Sequence, residues 1–132
     1  MVGDKQELDA RCEQIIAACI EVHKQLGPGL LESVYHAALV IEFDERKIPF
    51  VSEYPVVAQF KGHELGVGLR VDFVIYDSVV LEIKAVQELT ADHIATTISY
   101  VTLAHKSAAL LVNFNKTLLV DGVRRLYPRV AP

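Results

Sequence analysis

Glu82 and Lys84 interrupt the segment Val79 to Val86, which is otherwise apolar. Removing a charge from water is costly, so charged side chains seldom lie inside such a run without a partner. A nearly continuous apolar run of this length reads as a strand covered on both faces. Residues two apart on a strand project from one face, which makes Glu82 and Lys84 neighbours. Ten residues before Glu82, Asp72 interrupts another apolar segment, Leu69 to Tyr76. Whether the three charges meet depends on the hairpin between them. A two-residue loop at Asp77-Ser78 would set Asp72 opposite Ile83 and turn it away from Glu82. A three-residue loop, Tyr76 to Ser78, sets Asp72 opposite Glu82, with the two about 4.5–5.5 Å apart. The odd-length loop, or a bulge with the same effect, is therefore predicted.

Two carboxylates at that separation repel unless one is protonated or a cation bridges them. Oxygen ligation by few protein groups suits Mg2+ or Mn2+, with water and a substrate phosphate in the remaining positions. Lys84 can then orient or activate an attacking water, or stabilise charge building on the phosphorus oxygens. The alternative is an Asp/Glu/Lys ion-pair network on a solvated sheet face, against which the apolar surroundings count.

The flanking elements must bring these strands together. Leu8, Cys12, Ile15, Ile16, Cys19, Val22 and Leu26 recur at spacings of three and four, which predicts a helix from near Lys5 to Leu26. Gly27-Pro28-Gly29 breaks it, and a second helix is expected from around Leu30 to near Lys47, stopped by Pro49. Phe50 to Phe60 reads as a strand made irregular by Pro55. Lys61-Gly62 is a turn, and Leu65 to Tyr76 a second strand in which Gly66 and Gly68 mark a bulge or a close approach. Thr90 is placed to cap a third helix running to about His105, with Asp92 in its first turn. Ala108 to Phe114 is a further strand, and Leu118 to Tyr127 a short hairpin around Asp121-Gly122. The order predicts one α/β layer structure spanning residues 1–132 as a single domain.

The 132 residues are 52% hydrophobic, enough for a core at this length, and carry a formal net charge of −4. That balance does not advertise a nucleic-acid binder. Arg124, Arg125 and Arg129 are clustered, and form either a phosphate contact or a solvated edge. No segment is long and apolar enough to span a bilayer, and Met1 to Arg11 lacks the apolar stretch of a signal peptide. A cytoplasmic protein without a membrane partner is expected. Cys12 and Cys19 fall about 10 Å apart on one helix, too far for a disulfide, and read as small buried hydrophobes.

The motifs together resemble a known family. Asp72 followed by Glu82-Ile83-Lys84 is similar to the D…(D/E)xK core of the PD-(D/E)XK nuclease superfamily. Gly29-Leu30-Leu31-Glu32-Ser33-Val34-Tyr35 resembles the motif that names its GxxExxY branch. Arg70-Val71-Asp72-Phe73 and Leu110-Leu111-Val112-Asn113-Phe114 add to that likeness, which covers roughly Ile15 to Tyr127. The resemblance implies an α-β-β-β-α-β core with an additional N-terminal helix. It implies a metal-dependent nuclease acting on DNA or RNA, with Mg2+ or Mn2+ held by Asp72 and Glu82, Lys84 as the catalytic lysine, and Glu32 reaching the metal or its water.

Read from its position alone, Glu32 is an acidic residue complementing a helix N-terminus. Tyr35, one turn on, either hydrogen-bonds that carboxylate or packs in the core. His93 is either a phosphate or second-layer contact or a polar residue on a helix's first exposed turn. His23, His36, His63 and His105 show no ligand spacing and read as surface residues. Relatives often carry Gln in a QxxxY pattern on the helix after the ExK strand. Here Thr96 stands in the Gln position and Tyr100 is retained, and a hydroxyl reaches less far than an amide. That departure supports an alternative function, a catalytically weak or inactive nuclease fold serving as a binding or regulatory module. A homodimer is a further expectation, since two copies would let so small a domain engage both strands of a duplex.

Overall fold

The structure, a computed structural model, describes residues 2–130. The predicted apolar stripe lies along α1 (Val2–Leu26), where Cys12, Ile15, Cys19 and Val22 are buried. Both cysteines are free, and burial pushes their thiols up, Cys19 to about 12. Gly27 ends the helix at a left-handed φ of 72° while its N–H donates to the His23 carbonyl. The chain turns back into α2 (Glu32–Glu45), which buries Tyr35, Leu39 and Phe43, one per turn.

The strands are β1 (Phe50–Val56), β2 (Gln59–Phe60), β3 (His63–Glu64), β4 (Leu69–Ile75) and β5 (Val79–Lys84). After α3 (Ala91–Leu103) come β6 (Ala108–Asn113), a 3-10 helix (Leu119–Gly122) and β7 (Val123–Leu126). One five-stranded sheet has the order β1-β4-β5-β6-β7. β5 and β6 are parallel, joined by α3 as a parallel crossover requires, and the other pairs are antiparallel.

The sheet separates two cores. Ile83, Leu81 and Val79 of β5 face α1 and α2, together with Leu110 and Val112 of β6. Val80 and Ala109 face the other way, towards Val101 of α3. From α2 onward the main sheet follows the expected α-β-β-β-α-β order, with α1 as the additional N-terminal helix and β7 appended. No helix among the described residues is long and apolar enough to cross a membrane.

Two expectations need correction. The strands predicted over Phe50–Phe60 and Leu65–Tyr76 do not run through. β1 ends at Val56 and β4 begins at Leu69, and a separate two-stranded arm, β2–β3, stands between them. Lys61 and Gly62 both have positive φ, the tight turn that closes such a ribbon, and Gly66 at φ 69° lets the chain swing back to the sheet. The hairpin predicted over Leu118–Tyr127 is a 3-10 turn and a single strand. Leu119 turns into the main core, and Gly122 packs so tightly that a Cβ would lie 2.3 Å from the Asn113 carbonyl oxygen.

The predicted hairpin register is present. Ile75 pairs with Val79, Val74 with Val80 and Phe73 with Leu81, leaving a three-residue loop, Tyr76 to Ser78. Tyr76 and Asp77 both adopt left-handed φ, and Ser78 N–H donates to the Ile75 carbonyl at 3.1 Å. Ser78 is thus one residue more than a two-residue turn needs, and that extra residue sets the parity of everything beyond it.

Candidate metal centre

The β4–β5 ladder stops at Phe73 and Leu81, and there the two carboxylates take over. Asp72 N–H donates to Glu82 Oε1 at 2.6 Å, and Ile83 N–H donates to Asp72 Oδ2 at 2.8 Å. Each side chain accepts from the opposite strand where a carbonyl would otherwise serve. One oxygen of each carboxylate is thereby fixed, and the second makes no hydrogen bond among the described residues.

Glu82 is only 8% exposed, and burial pushes its carboxyl up to about 7. The Asp72 charge adds to the rise, and the Asp72 N–H and Lys84 partly oppose it. Asp72 is also raised, first by burial, then by Glu32 and Glu53, against the Ile83 N–H and His36. Two neighbouring acids are thus held where ionising both is unfavourable.

Lys84 is half-buried at the end of β5, on the same strand face as Glu82. Its carbonyl accepts from Phe114 N–H at 2.8 Å, and it pairs with Asn113 in the β5–β6 register. Asn113 is fully buried, yet its amide is satisfied. It accepts from Val86 N–H (3.1 Å) and Asn115 N–H (3.1 Å) and donates to the Val86 carbonyl (2.8 Å). This clamp fixes the chain just beyond Lys84.

Beside Asp72, a concavity of about 290 Å³ is lined by Glu32, His36, Glu53, Asp72 and Ile83. Glu32 is the exposed first residue of α2, and its charge raises both Asp72 and Glu82. Glu82 and Lys84 do not line this hollow. His36 is half-buried rather than a surface residue, because its ring stacks on Phe73 at 4.2 Å and its Nε2 lies 2.7 Å from Ser52 Oγ.

Glu53 stands where β1 and β4 are irregular together. Ser52 pairs with Phe73 and Tyr54 with Val71, but Glu53 and Asp72 between them do not pair. Glu53 has a φ of 55°, a conformation that costs a non-glycine residue roughly 1–3 kcal/mol. Phe50 and Phe73 pack in the α1/α2 core, whereas Tyr54, Val56 and Val71 pack in the α3 core. Both strands therefore change face at this point, and the Glu53 and Asp72 carboxylates come close to His36.

The other candidates have structural partners. The Tyr35 hydroxyl donates to the Gly27 carbonyl (2.6 Å) and accepts from Leu30 N–H (3.2 Å), and its ring stacks on Phe114 at 4.6 Å. It braces the turn before Glu32 and does not bond that carboxylate. His93 forms a capping box with Thr90, its Nδ1 accepting Thr90 N–H at 3.0 Å. Thr96 is exposed, and Tyr100 packs against the α3 core. His23, read as a surface residue, is buried and reaches the Lys116 carbonyl at 2.7 Å, while His63 and His105 are exposed.

Arg125 pairs with Asp9 at 2.8 Å and Arg129 reaches Ser99 at 3.1 Å, so two of the three clustered arginines have protein partners. A larger hollow of about 600 Å³ lies at the opposite end of the β4–β5 hairpin, by Ser78. Among its lining residues Arg11 is paired with Glu7, and it has no buried carboxylate pair.

His36 and Glu53 escaped the sequence reading. His36 is four residues after Glu32, on the same helix face, and that spacing was the available signal. Glu53 could be placed against Asp72 only with the β1–β4 register, which the intervening arm concealed.

The donor set suits a hard divalent cation. It offers adjacent carboxylates, each with an oxygen free of hydrogen bonds among the described residues, and a further acidic side chain at the mouth. Residues 9–126 match the family described as the PD-(D/E)XK nuclease superfamily. The chain belongs to that superfamily. A comparison with curated proteins found no match. Among solved structures, the alkaline exonuclease LHK-Exo from Laribacter hongkongensis is similar at 12% sequence identity and a TM-score of 0.47. The similarity covers 89% of this chain and 82% of that one.

Proposed function

We propose that this protein is a divalent-metal-dependent nuclease, with Asp72, Glu82 and Glu32 as the residues that hold Mg2+ or Mn2+. The observation that carries this reading is the reciprocal clasp of Asp72 and Glu82, in which each carboxylate is fixed by the other strand's N–H and keeps one oxygen available. Such a pair is unfavourable when ionised and empty, and favourable around a cation. A bound cation would supply Lewis acidity towards a phosphoryl oxygen and lower the pKa of water.

Lys84 has the role of orienting the attacking water and offsetting the charge that develops on the phosphorus oxygens. In the hydrolysis, the water oxygen forms a bond to phosphorus and the ester P–O bond breaks. The departing sugar oxygen takes up a proton, and the proton lost by water passes to solvent. Asn113 holds the strand end that carries Lys84, and Tyr35 holds the turn that presents Glu32. The Gly29–Tyr35 motif supports placement within the GxxExxY branch. Nucleic acid is the partner this chemistry requires.

One observation favours a second reading. Thr96 is exposed and short where an amide would extend towards substrate, which suits a domain that binds nucleic acid and cleaves it weakly. Incubation with single-stranded DNA, duplex DNA and structured RNA in Mg2+ or Mn2+, beside Lys84→Ala, separates the two. Cleavage by the native protein and not by the variant supports the nuclease. Binding without cleavage by either supports the module.

A further inference from the structure

The connection between β1 and β4 is far longer than the sheet needs. Val56 pairs directly with Leu69, so a turn of about two residues would join the strands, yet Val57 to Gly68 intervene. Every residue of that segment except Ala58 is exposed. Its strands, β2 and β3, pair only with each other, and among the described residues neither core includes any of the arm. A two-stranded ribbon standing alone is marginal, and a long ordered connection that the fold does not require tends to carry function.

The arm has two unlike faces. Val57 and Gln59 line a hollow with Thr102, Leu103 and His105 at the end of α3. Gln59 pairs with Glu64, so both share that face. Phe60 pairs with His63 across the Lys61-Gly62 turn, and Leu65 N–H donates to the Ala58 carbonyl. Ala58, Phe60, His63 and Leu65 therefore share the opposite face. There Phe60 is 61% exposed, and Lys61 Nζ stands 5.4 Å from the centre of its ring. An open aromatic ring with an ammonium group beside it offers a platform for a base and a charge for its phosphate.

The arm rejoins the sheet beside the metal centre, with Arg70 and then Asp72 following Leu69 along β4. Tyr54, Val56, Leu69 and Val71 pack in the α3 core, so the Pro55–Arg70 pair between them projects to the other side, where the hollow beside Asp72 opens. The Arg70 side chain is exposed and loosely paired, 3.7 Å from Glu53. A nucleic-acid strand held at Asp72 would meet Arg70 next and then the arm.

We propose that the β2–β3 arm is a clamp for single-stranded nucleic acid, in which Phe60 stacks on a base while Lys61 and Arg70 contact phosphates. The inference rests on nucleic acid being the partner in the proposed function, and does not require the centre to cleave it. Single strands are favoured because a duplex keeps its base faces stacked on one another, whereas a single strand can offer them. The other candidate occupant is a second copy of the chain. Stable protein interfaces bury roughly 800 Å² per partner, and an aromatic side chain supplies about 150–250 Å². Phe60 and Leu65 on this face fall well short.

The test measures fluorescence anisotropy of labelled oligothymidylate, and of a duplex of equal length, with the full chain in chelator and then in Mn2+. The native protein should bind the single strand more tightly. Phe60→Ala should weaken that binding by about 5- to 150-fold, the contribution of one stacked base, and leave the duplex unchanged. Lys61→Ala and Arg70→Ala should each lower the dependence of log affinity on log salt by about one. The chain has no tryptophan, so Phe60→Trp places a single indole at the tip, and oligothymidylate should quench its emission.

Phe60 is exposed, so its variants should fold. Native single-strand affinity in Phe60→Ala, or an indole in Phe60→Trp that oligothymidylate leaves unquenched, would overturn the clamp, and metal-dependent cleavage by the same variants would leave the nuclease reading standing. Concentration-dependent sedimentation without DNA, abolished by Phe60→Ala, would assign the arm to a second copy and also overturn it. Binding of neither polymer in either condition would remove both the clamp and nucleic acid as the partner.

Discussion

Replacing Glu82 with glutamine removes one buried charge while preserving the oxygen that accepts the Asp72 N–H. In the native protein burial and the Asp72 charge move this carboxyl from a glutamate's ordinary 4.5 to about 7. At about 1.4 kcal/mol per pH unit, that corresponds to roughly 3 kcal/mol. The folded state binds the proton more tightly than the unfolded chain does. The stabilisation is therefore complete below the unfolded value and lost as pH rises towards 7.

Urea denaturation in chelator from pH 5 to 8 reads this directly. The native protein should lose most of about 3 kcal/mol across that range relative to Glu82→Gln, a difference of about 10 °C in Tm for a chain of this size. Divalent cation should close that gap. At pH 8 and 100 times its Kd, Mn2+ at the carboxylate pair returns about 2.7 kcal/mol to the native protein, and Glu82→Gln lacks that gain. Parallel pH profiles for the two proteins in chelator would refute the claim that an ionised Glu82 is held at a cost.

Other substitutions separate the frame from the centre. Tyr35→Phe leaves the Gly27 carbonyl and Leu30 N–H without their shared partner and should cost about 1–2 kcal/mol in denaturant titration, with cleavage per folded molecule unchanged. Asn113→Ala strips three partners from backbone groups around Val86 and Asn115 and should cost roughly 2–4 kcal/mol, with a loss of cleavage beyond the loss of folded protein because the Lys84 strand end is freed. Gly122→Ala would drive a Cβ into the Asn113 carbonyl at 2.3 Å. It should lower Tm by more than about 10 °C, as severe overpacking does. His93→Ala removes half of a capping box and should cost about 1 kcal/mol with cleavage retained; selective loss of cleavage would return His93 to the substrate.

The parts of this architecture set by local rules were legible in the chain. The α1 stripe, the Thr90 cap and the apolar β5 run follow from spacing and residue type. The Asp72–Glu82 contact was legible only as a condition on loop parity, chosen because the charges had to meet, since a one-residue change inverts every side chain beyond it. What stayed hidden depends on non-local pairing. Glu53 meets Asp72 only because β1 pairs with β4 across the β2–β3 arm, and its left-handed backbone has no signature in its residue type. His36 resembled a surface histidine because the Phe73 ring that covers it is 37 positions away in the chain. The Leu118–Tyr127 segment was misread because Asp-Gly signals a turn without saying whether a strand precedes it.

The most direct test of the central claim is anomalous diffraction from crystals grown with Mn2+ at pH 8. The account predicts an anomalous peak between the free oxygens of Asp72 and Glu82, present in the native protein and absent from Glu82→Gln. A well-ordered native crystal in saturating Mn2+ without density at that pair would contradict it, and would leave the clasp as a structural device of the sheet.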